Sequence, residues 1–178
     1  ANTMAYRERI HAFGAFAWRA GPRAAALNPE LVFATSTPLT IALPGAYAAF
    51  RSRAPMVFEV RDLWPAVPIA IGALRSPIAR SMATLLERLA YWRSAHVVAL
   101  APGMRDEIVA TGYPAERVSV IPNGCDFAAF SDPAVGERIR REHQWLGSRP
   151  LLVFTGTFGL VNGLEYLGGL DPRMAGLD

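Results

Sequence analysis

Lysine is missing from this chain. All 18 basic residues are arginine, set against 15 acidic ones, for a net charge of +3 over 178 residues. The arginines are scattered and form no stripe interleaved with aromatics, so a nucleic-acid partner is not expected. All-arginine usage with abundant alanine reflects a GC-rich coding sequence instead. Cysteine is nearly absent: Cys125 stands alone, which excludes an internal disulfide and any cysteine-based zinc site and points to a reducing, cytoplasmic setting. Long apolar runs are also lacking. No stretch reaches the roughly 18 residues of a membrane span, and no charged segment followed by an apolar one marks a secretory leader at the start. The chain opens on Ala1, so its natural start is expected upstream. The three histidines, His11, His96 and His143, fall far apart in the pattern and suggest surface or cap roles, with no metal site and no triad.

What is present is a core. Hydrophobic residues make up 52% and charged residues 19%, as in a globular chain long enough for one domain or for a domain and part of another. The stretch Met56–Pro65, MVFEVRDLWP, is the centre of the pattern. Met56, Val57, Phe58 and Val60 read as a parallel-sheet strand buried on both faces. Arg61 and Asp62 fall just past its carboxyl end, the edge at which open α/β sheets bind ligands. There they either position an anionic or hydroxylated substrate and carry a proton, or form a strand-end ion pair.

Other segments repeat the strand–helix alternation. Tyr6 to Leu27 has helical spacing, with Ile10, Phe13, Ala17 and Ala20 on the apolar side and Phe16 and Trp18 widening it; Gly21-Pro22 kinks or ends it. Leu31 to Ala34 is a short strand, followed by the hydroxyl-rich Thr35-Ser36-Thr37-Pro38 and a helix over about 39–53, with Thr37 as its cap. A helix starting at Ser76-Pro77 carries Ile78, Met82, Leu85, Leu86, Leu89 and Trp92 on one apolar face. Strands follow over 96–100 and 118–121, with a helix over 102–111 between them. This order predicts an α/β fold with a doubly wound parallel sheet.

Pro122-Asn123-Gly124 is a turn, with Cys125 incidental beside it. Residues 133–146 form a polar helix of linker character. Leu151 to Thr155 reads as a new buried strand, and Gly156-Thr157-Phe158-Gly159 with Asn162-Gly163 leads into a helix. A strand, a glycine-containing loop and a helix start can cradle a phosphate; an ordinary βα loop has the same spacing. The glycine-broken residues 168–178 suggest a chain that stops inside its second domain.

The segments LVFATSTPLTIALP, FEVRDLWPAVPIAIGAL, LERLAYWRSAHVVALAPGM, RVSVIPNGCDFAAF and LLVFTGTFGLVNGLEYL, in register over about residues 6–167, resemble the bacterial family-4 glycosyltransferases of the GT-B fold, in particular those that build O-antigen, capsule or exopolysaccharide. The resemblance implies two Rossmann-like domains across a cleft: 1–122 as the later part of the acceptor-side domain, 123–149 as linker with Asn123 and Gly124 at the hinge, and 150–178 as the start of the donor domain. It implies a sugar transferred from a nucleotide-sugar to an acceptor hydroxyl on a lipid-linked saccharide, with retention, without metal and with no cofactor beyond the donor itself. Gly156, Thr157, Gly159, Asn162 and Gly163 would bind the donor diphosphate. Arg61 and Asp62 would be catalytic, and Thr35, Ser36, Thr37 and Trp64 would line the acceptor side, Trp64 either stacking on a sugar or packing beneath the loop.

Two departures stand out. Thr157 and Asn162 replace the Arg and Lys that many relatives carry near the diphosphate, and Arg61-Asp62 stands where many carry a His. Arg cannot act as a base at neutral pH, which leaves Asp62 for that role. The family's Gly-rich first loop would lie upstream and its paired glutamates downstream, and Glu165 is no substitute for them. This chain alone is therefore expected to be inactive. The resemblance also implies a cytoplasmic protein, with the arginine-bearing first helix either touching the inner membrane's anionic face or half-buried as an ordinary surface helix. The rival readings are a non-catalytic α/β binding module and a GT-B nucleotide-sugar epimerase.

Overall fold

The computed structural model describes residues 6–151, 153–156, 162, 163 and 166. The chain divides into two compact units, Ala1–Asn123 and Gly124–Asp178.

The first unit is built on four parallel strands, β1 (Val32–Thr35), β2 (Met56–Val60), β3 (His96–Ala99) and β4 (Val118–Val120), in the spatial order β1-β2-β3-β4. The helices are α1 (Tyr6–Ala26), α2 (Ala42–Ser52), α3 (Ala66–Ala70), α4 (Pro77–Arg93) and α5 (Pro102–Ala110). A fold with helical crossovers between parallel strands is the α/β architecture expected. The order runs one way only, so each right-handed crossover lands on the same side of the sheet. The reversal that defines a doubly wound sheet does not occur among the described residues.

The register decides which side chains enter the core. Ala34, Phe58, Val97 and Val118 are cross-strand partners, as are Val60 and Ala99. All are buried, against Ala42 and Ala49 of α2, Ala90 and Tyr91 of α4, and Ile108 of α5. The alternate row points to the other face and is wetter. Phe33 is 58% exposed, Val57 and Glu59 are half-buried, and the His96 ring pairs with the Ser119 hydroxyl at 2.9 Å. β2 is therefore fully buried on one face only, not on both as its apolar run suggests, although Val98, beside Glu59 on the second face, is buried too.

Small residues set the helix-to-sheet distance. A Cβ on Gly45 would come within 3.0 Å of the Ala34 Cβ and 3.1 Å of the Met56 sulfur, so α2 lies tightly on β1 and β2. α1 packs along α2, closest at the buried Gly21, which faces Pro44 and Tyr47, while Phe13, Phe16 and Trp18 stay exposed. Its large aromatics thus do not form the buried side. The helix also runs through Pro22 to Ala26. At α4 the Ser76 cap and Pro77 first turn hold as expected. The apolar face holds only in part: Leu86 packs on the core and Trp92 meets Tyr113 edge-on, but Ile78, Met82, Leu85 and Trp92 are 61–74% exposed, and the fully buried residues are Glu87, Ala90 and Tyr91.

That inward face contains a buried carboxyl. The Tyr91 hydroxyl donates to Glu87 Oε1 at 3.1 Å, and Tyr91 stacks edge-on with Phe58 and leans on Tyr113, whose own hydroxyl reaches the Ser94 carbonyl at 3.0 Å. Burial pushes the Glu87 carboxyl above its ordinary range; the Tyr91 bond and Arg88 oppose the rise and Glu107 adds to it. Folded Glu87 therefore keeps a proton that the unfolded chain has released. Stability falls as pH climbs from the ordinary carboxylate range through the raised value. Glu87→Gln keeps the acceptor for Tyr91 and removes the titration. It should flatten that pH slope and raise stability at neutral pH, read by urea unfolding between about pH 4 and about pH 8. An unchanged slope would assign the pH dependence to other groups.

The second unit, described by itself, has α6 (Phe127–Phe130) capped by Asp126 and α7 (Pro133–Glu142) capped by Asp132. The polar helix expected over 133–146 ends at Glu142 and gives way to one 3₁₀ turn at Gln144–Leu146. Residues 151 and 153–155, expected as a buried strand, lie outside any strand and are exposed. A strand closes its backbone hydrogen bonds only against a neighbour, and the described residues of this unit supply no sheet.

Candidate functional site at the carboxyl edge of the sheet

β1 and β2 are in parallel register, so their carboxyl ends emerge side by side. Thr35 pairs with Glu59 in the ladder, and the pairing continues one step further: the Ser36 amide donates to the Glu59 carbonyl at 2.8 Å. The two loops are then tied by side chains. The Arg61 amide donates to the Ser36 hydroxyl at 2.9 Å, and the Thr37 hydroxyl donates to Asp62 Oδ2 at 2.8 Å. The sequence-predicted residues Thr35, Ser36, Thr37, Arg61 and Asp62 thus converge from positions about 25 apart in the chain.

They do not play equal parts. Ser36 is 2% exposed, so its hydroxyl ties the loops together and offers nothing to a ligand. Thr37 does not cap the following helix. Its hydroxyl is taken by Asp62, and the first turn, Leu39–Ile41, has no side-chain cap. Thr37 also sits at φ 118°, a conformation costly for a β-branched residue. Such outliers persist where the surrounding structure over-determines them, and they concentrate at functional sites. Asp62 is exposed, and its Oδ1 accepts no protein hydrogen bond among the described residues. The arrangement is a carboxylate held in orientation by a threonine at one oxygen and open at the other.

Glu59 is the residue that sequence reasoning missed. Its carboxylate accepts from the Thr35 hydroxyl through Oε2 and lies 3.6 Å from the Arg61 guanidinium, with only 17% of the side chain exposed. Arg61 is 47% exposed at the side chain. Its pairing with Glu59 is worth little in stability but biases the guanidinium toward the β2 side. The signal was available: an acid inside an otherwise apolar strand is seldom left half-buried without a partner. Trp64 is half-buried and packs on the core, which favours the packing alternative for most of its ring. Its amide bonds back to the Asp62 carbonyl at 3.0 Å, closing the loop behind the acid.

Asn123 ends the first unit and Gly124 begins the second, both exposed. Of the expected phosphate loop, Gly156, Asn162 and Gly163 are described, with Gly163 at φ 58°; Thr157 and Gly159 lie outside the described residues. Among the described residues no helix is long and apolar enough to cross a membrane, and no three metal-ligating side chains stand together.

The match to a protein-family model falls on the first unit. The model of the glycosyl transferase 4-like domain matches residues 3–124, which takes in all four strands and both site loops. Alpha-maltose-1-phosphate synthase of Mycolicibacterium smegmatis is 28% identical over 138 residues, covering 75% of this chain and 35% of that protein. Among solved structures, Anabaena Alr3699/HepE in complex with UDP-glucose and the same protein in complex with UDP superpose with a TM-score of 0.53, at 17% and 18% identity, over 88% of this chain and 48% of theirs. That likeness carries the fold. The chain thus spans about a third of one relative and about half of the other. A single family model covering the whole sheet and its carboxyl edge makes the chain a member of the glycosyl transferase 4-like domain family.

Proposed function

We propose that this chain supplies the acceptor side of a glycosyltransferase, which moves a sugar from a nucleotide-sugar to an acceptor hydroxyl. The observation that carries the reading is the Thr37–Asp62 pair at the carboxyl edge of β1 and β2: an exposed carboxylate fixed at one oxygen and open at the other. A carboxylate so held can accept a hydrogen bond from a sugar hydroxyl and orient or deprotonate it for attack. Arg61 beside it favours partial negative charge on the same group of atoms. The donor is a UDP-sugar by analogy with the ligands named for the Anabaena protein. Gly156, Thr157, Gly159, Asn162 and Gly163 would face its diphosphate, with backbone N–H groups stabilising the leaving charge. Transfer proceeds with retention and without a metal ion, on a lipid-linked saccharide at the cytoplasmic face of a membrane.

The two binding functions separate experimentally. This chain should bind an acceptor saccharide in ligand-observed NMR, with the signal lost in Asp62→Asn. Calorimetry with UDP-glucose should give a dissociation constant weaker than about 100 µM, since only a small part of a donor-binding domain is present. Submicromolar donor binding would refute the division of labour. Absence of any saccharide signal would favour a non-catalytic binding module.

A further inference from the structure

We infer that Arg51, Arg53 and Arg93 form an anion site for a phosphate monoester that carries an apolar body. The helices α2 and α4 both end at the amino edge of the sheet, where β2 and β3 begin. That edge is a strand length, about 15 Å, from Asp62. Arg51 and Arg93 lie in the last turns of the two helices, and Arg53 caps α2. The three line one surface depression of about 600 Å³ with Ala46, Ala49 and Phe50, and no acidic residue lines it. Among the described residues no ion pair or hydrogen bond occupies any of these guanidiniums. Arg61, Arg105, Arg138 and Arg141, by contrast, pair with carboxylates, and Arg75, Arg80, Arg140 and Arg149 bond carbonyls. Arg53 also stands at φ 55°, the left-handed cap position that glycine ordinarily fills. A guanidinium is thus kept here against the local backbone preference.

Charge sets the ligand. Each helix end contributes roughly half a negative charge, so three guanidiniums over two such ends leave about two positive charges uncompensated. A phosphate monoester is close to dianionic near neutral pH and matches that excess. Its oxygens also accept the forked N–H donors of arginine. A carboxylate or a sulfate ester brings one charge and leaves the rest unmet. The depression continues into an apolar groove of about 250 Å³: Ala46, Phe50 and Arg93 line both, and Tyr47 and Leu89 complete the second. Phe50 is 71% exposed, which sets an aromatic surface beside the charges. The ligand therefore joins its phosphate to a short alkyl or aromatic body. A soluble phosphoester and a phosphatidic-acid headgroup share that chemistry. The site lies at the opposite end of the sheet from the Thr37–Asp62 pair and stands whether or not the acceptor reading does.

The test is calorimetric titration of the 178-residue chain with octyl phosphate, octyl sulfate and inorganic phosphate, each below micelle formation and at about pH 8, where the phosphates are dianions. Octyl phosphate should bind with a dissociation constant of about 100 µM. Octyl sulfate and inorganic phosphate should each bind at least about tenfold more weakly. Arg53→Gly keeps the left-handed cap and should weaken octyl phosphate at least about fivefold while circular dichroism stays unchanged; Arg93→Gln should do the same. Phe50→Ser should remove the advantage of octyl phosphate over inorganic phosphate. Arg88→Gln, on the same helix as Arg93 but outside the depression, should leave the affinity within about twofold. Flotation with phosphatidylcholine vesicles holding phosphatidic acid separates the two sources. Flotation lost in Arg53→Gly identifies a lipid headgroup, and octyl phosphate binding without flotation identifies a soluble ester. No binding of octyl phosphate at about 1 mM overturns the proposal. So does equal affinity for octyl sulfate, an equal loss in Arg88→Gln, or flotation without binding of the soluble ester.

Discussion

In a complete two-domain transferase carrying this chain, Asp62→Asn should lower the rate of sugar transfer about a hundredfold and leave the donor KM within about threefold. The substitution is nearly isosteric, and the amide oxygen still accepts from the Thr37 hydroxyl, so the loop geometry at 2.8 Å persists. What disappears is the group's capacity to take a proton and its charge beside an attacking hydroxyl. Because the donor would be held elsewhere, by the Gly156–Gly163 loop, the loss belongs in kcat. Thr37 acts through Asp62. Thr37→Val should therefore also lower kcat, by about tenfold, and Thr37→Ser should restore it, since serine keeps the donor hydroxyl. Equal turnover in Asp62→Asn and wild type would reduce the acid to a structural tie between two loops. A rise in donor KM with kcat intact would move it to the donor side.

The parts of this site that were legible in the sequence are those fixed by local pattern. The apolar run of β2 stops where Arg61-Asp62 begin, and the hydroxyl run 35–37 follows β1, so both loops belong at one sheet edge whatever the details. What could not be read were the pairings made across 24 or 25 residues of chain: Thr37 on Asp62, Ser36 under Arg61, Thr35 on Glu59. Thr37 could equally have capped the next helix by its spacing, and only the register of β1 on β2 decides against it. The α4 stripe misled for a related reason. Periodicity shows that a helix has an apolar side, but not which side faces its own sheet. On α4 the residues packed on the core are Leu86, Glu87, Ala90 and Tyr91, a mixed set that carries little periodic signal. The sheet's wetter second face escaped in the same way, because β2 is apolar enough to pass for a strand covered on both sides. Residues 151 and 153–155 show the reverse case: a strand-like sequence in a unit whose described residues supply no sheet.

The division between the two faces of β2 gives the largest expected effect on stability. Phe58→Ala should cost about 4 kcal/mol of unfolding free energy. Its ring is 0% exposed and meets Tyr91 edge-on at 6.3 Å between centroids. It lies in the row Ala34–Phe58–Val97–Val118, between flanking small or β-branched partners. Removing it opens a cavity in the middle of the sheet's covered face that neither neighbour can fill, since Ala34 is short and Val97 is stiff at χ1. Against a typical total of about 5–15 kcal/mol, that loss takes a large share of the domain's stability. Phe33→Ala is the matched comparison. It removes the same side chain from the adjoining strand, but on the wet face and 58% exposed, and it should cost at most about 1 kcal/mol. Urea unfolding of the two variants measures the asymmetry directly. Comparable losses would mean that the second face is covered as well, and the one-sided core drawn here would have to be abandoned. A small loss for Phe58 alone would mean that α4 can close onto the sheet. Glu59 ties the result to function. It is the next residue along β2, on the opposite face, and it ties Thr35 and Arg61 together at the sheet's carboxyl edge. A strand with its packing on one side and its site-forming acid on the other passes any slippage in register straight to the candidate catalytic loop, so the partially unfolded Phe58→Ala chain should lose saccharide binding in step with its folded fraction.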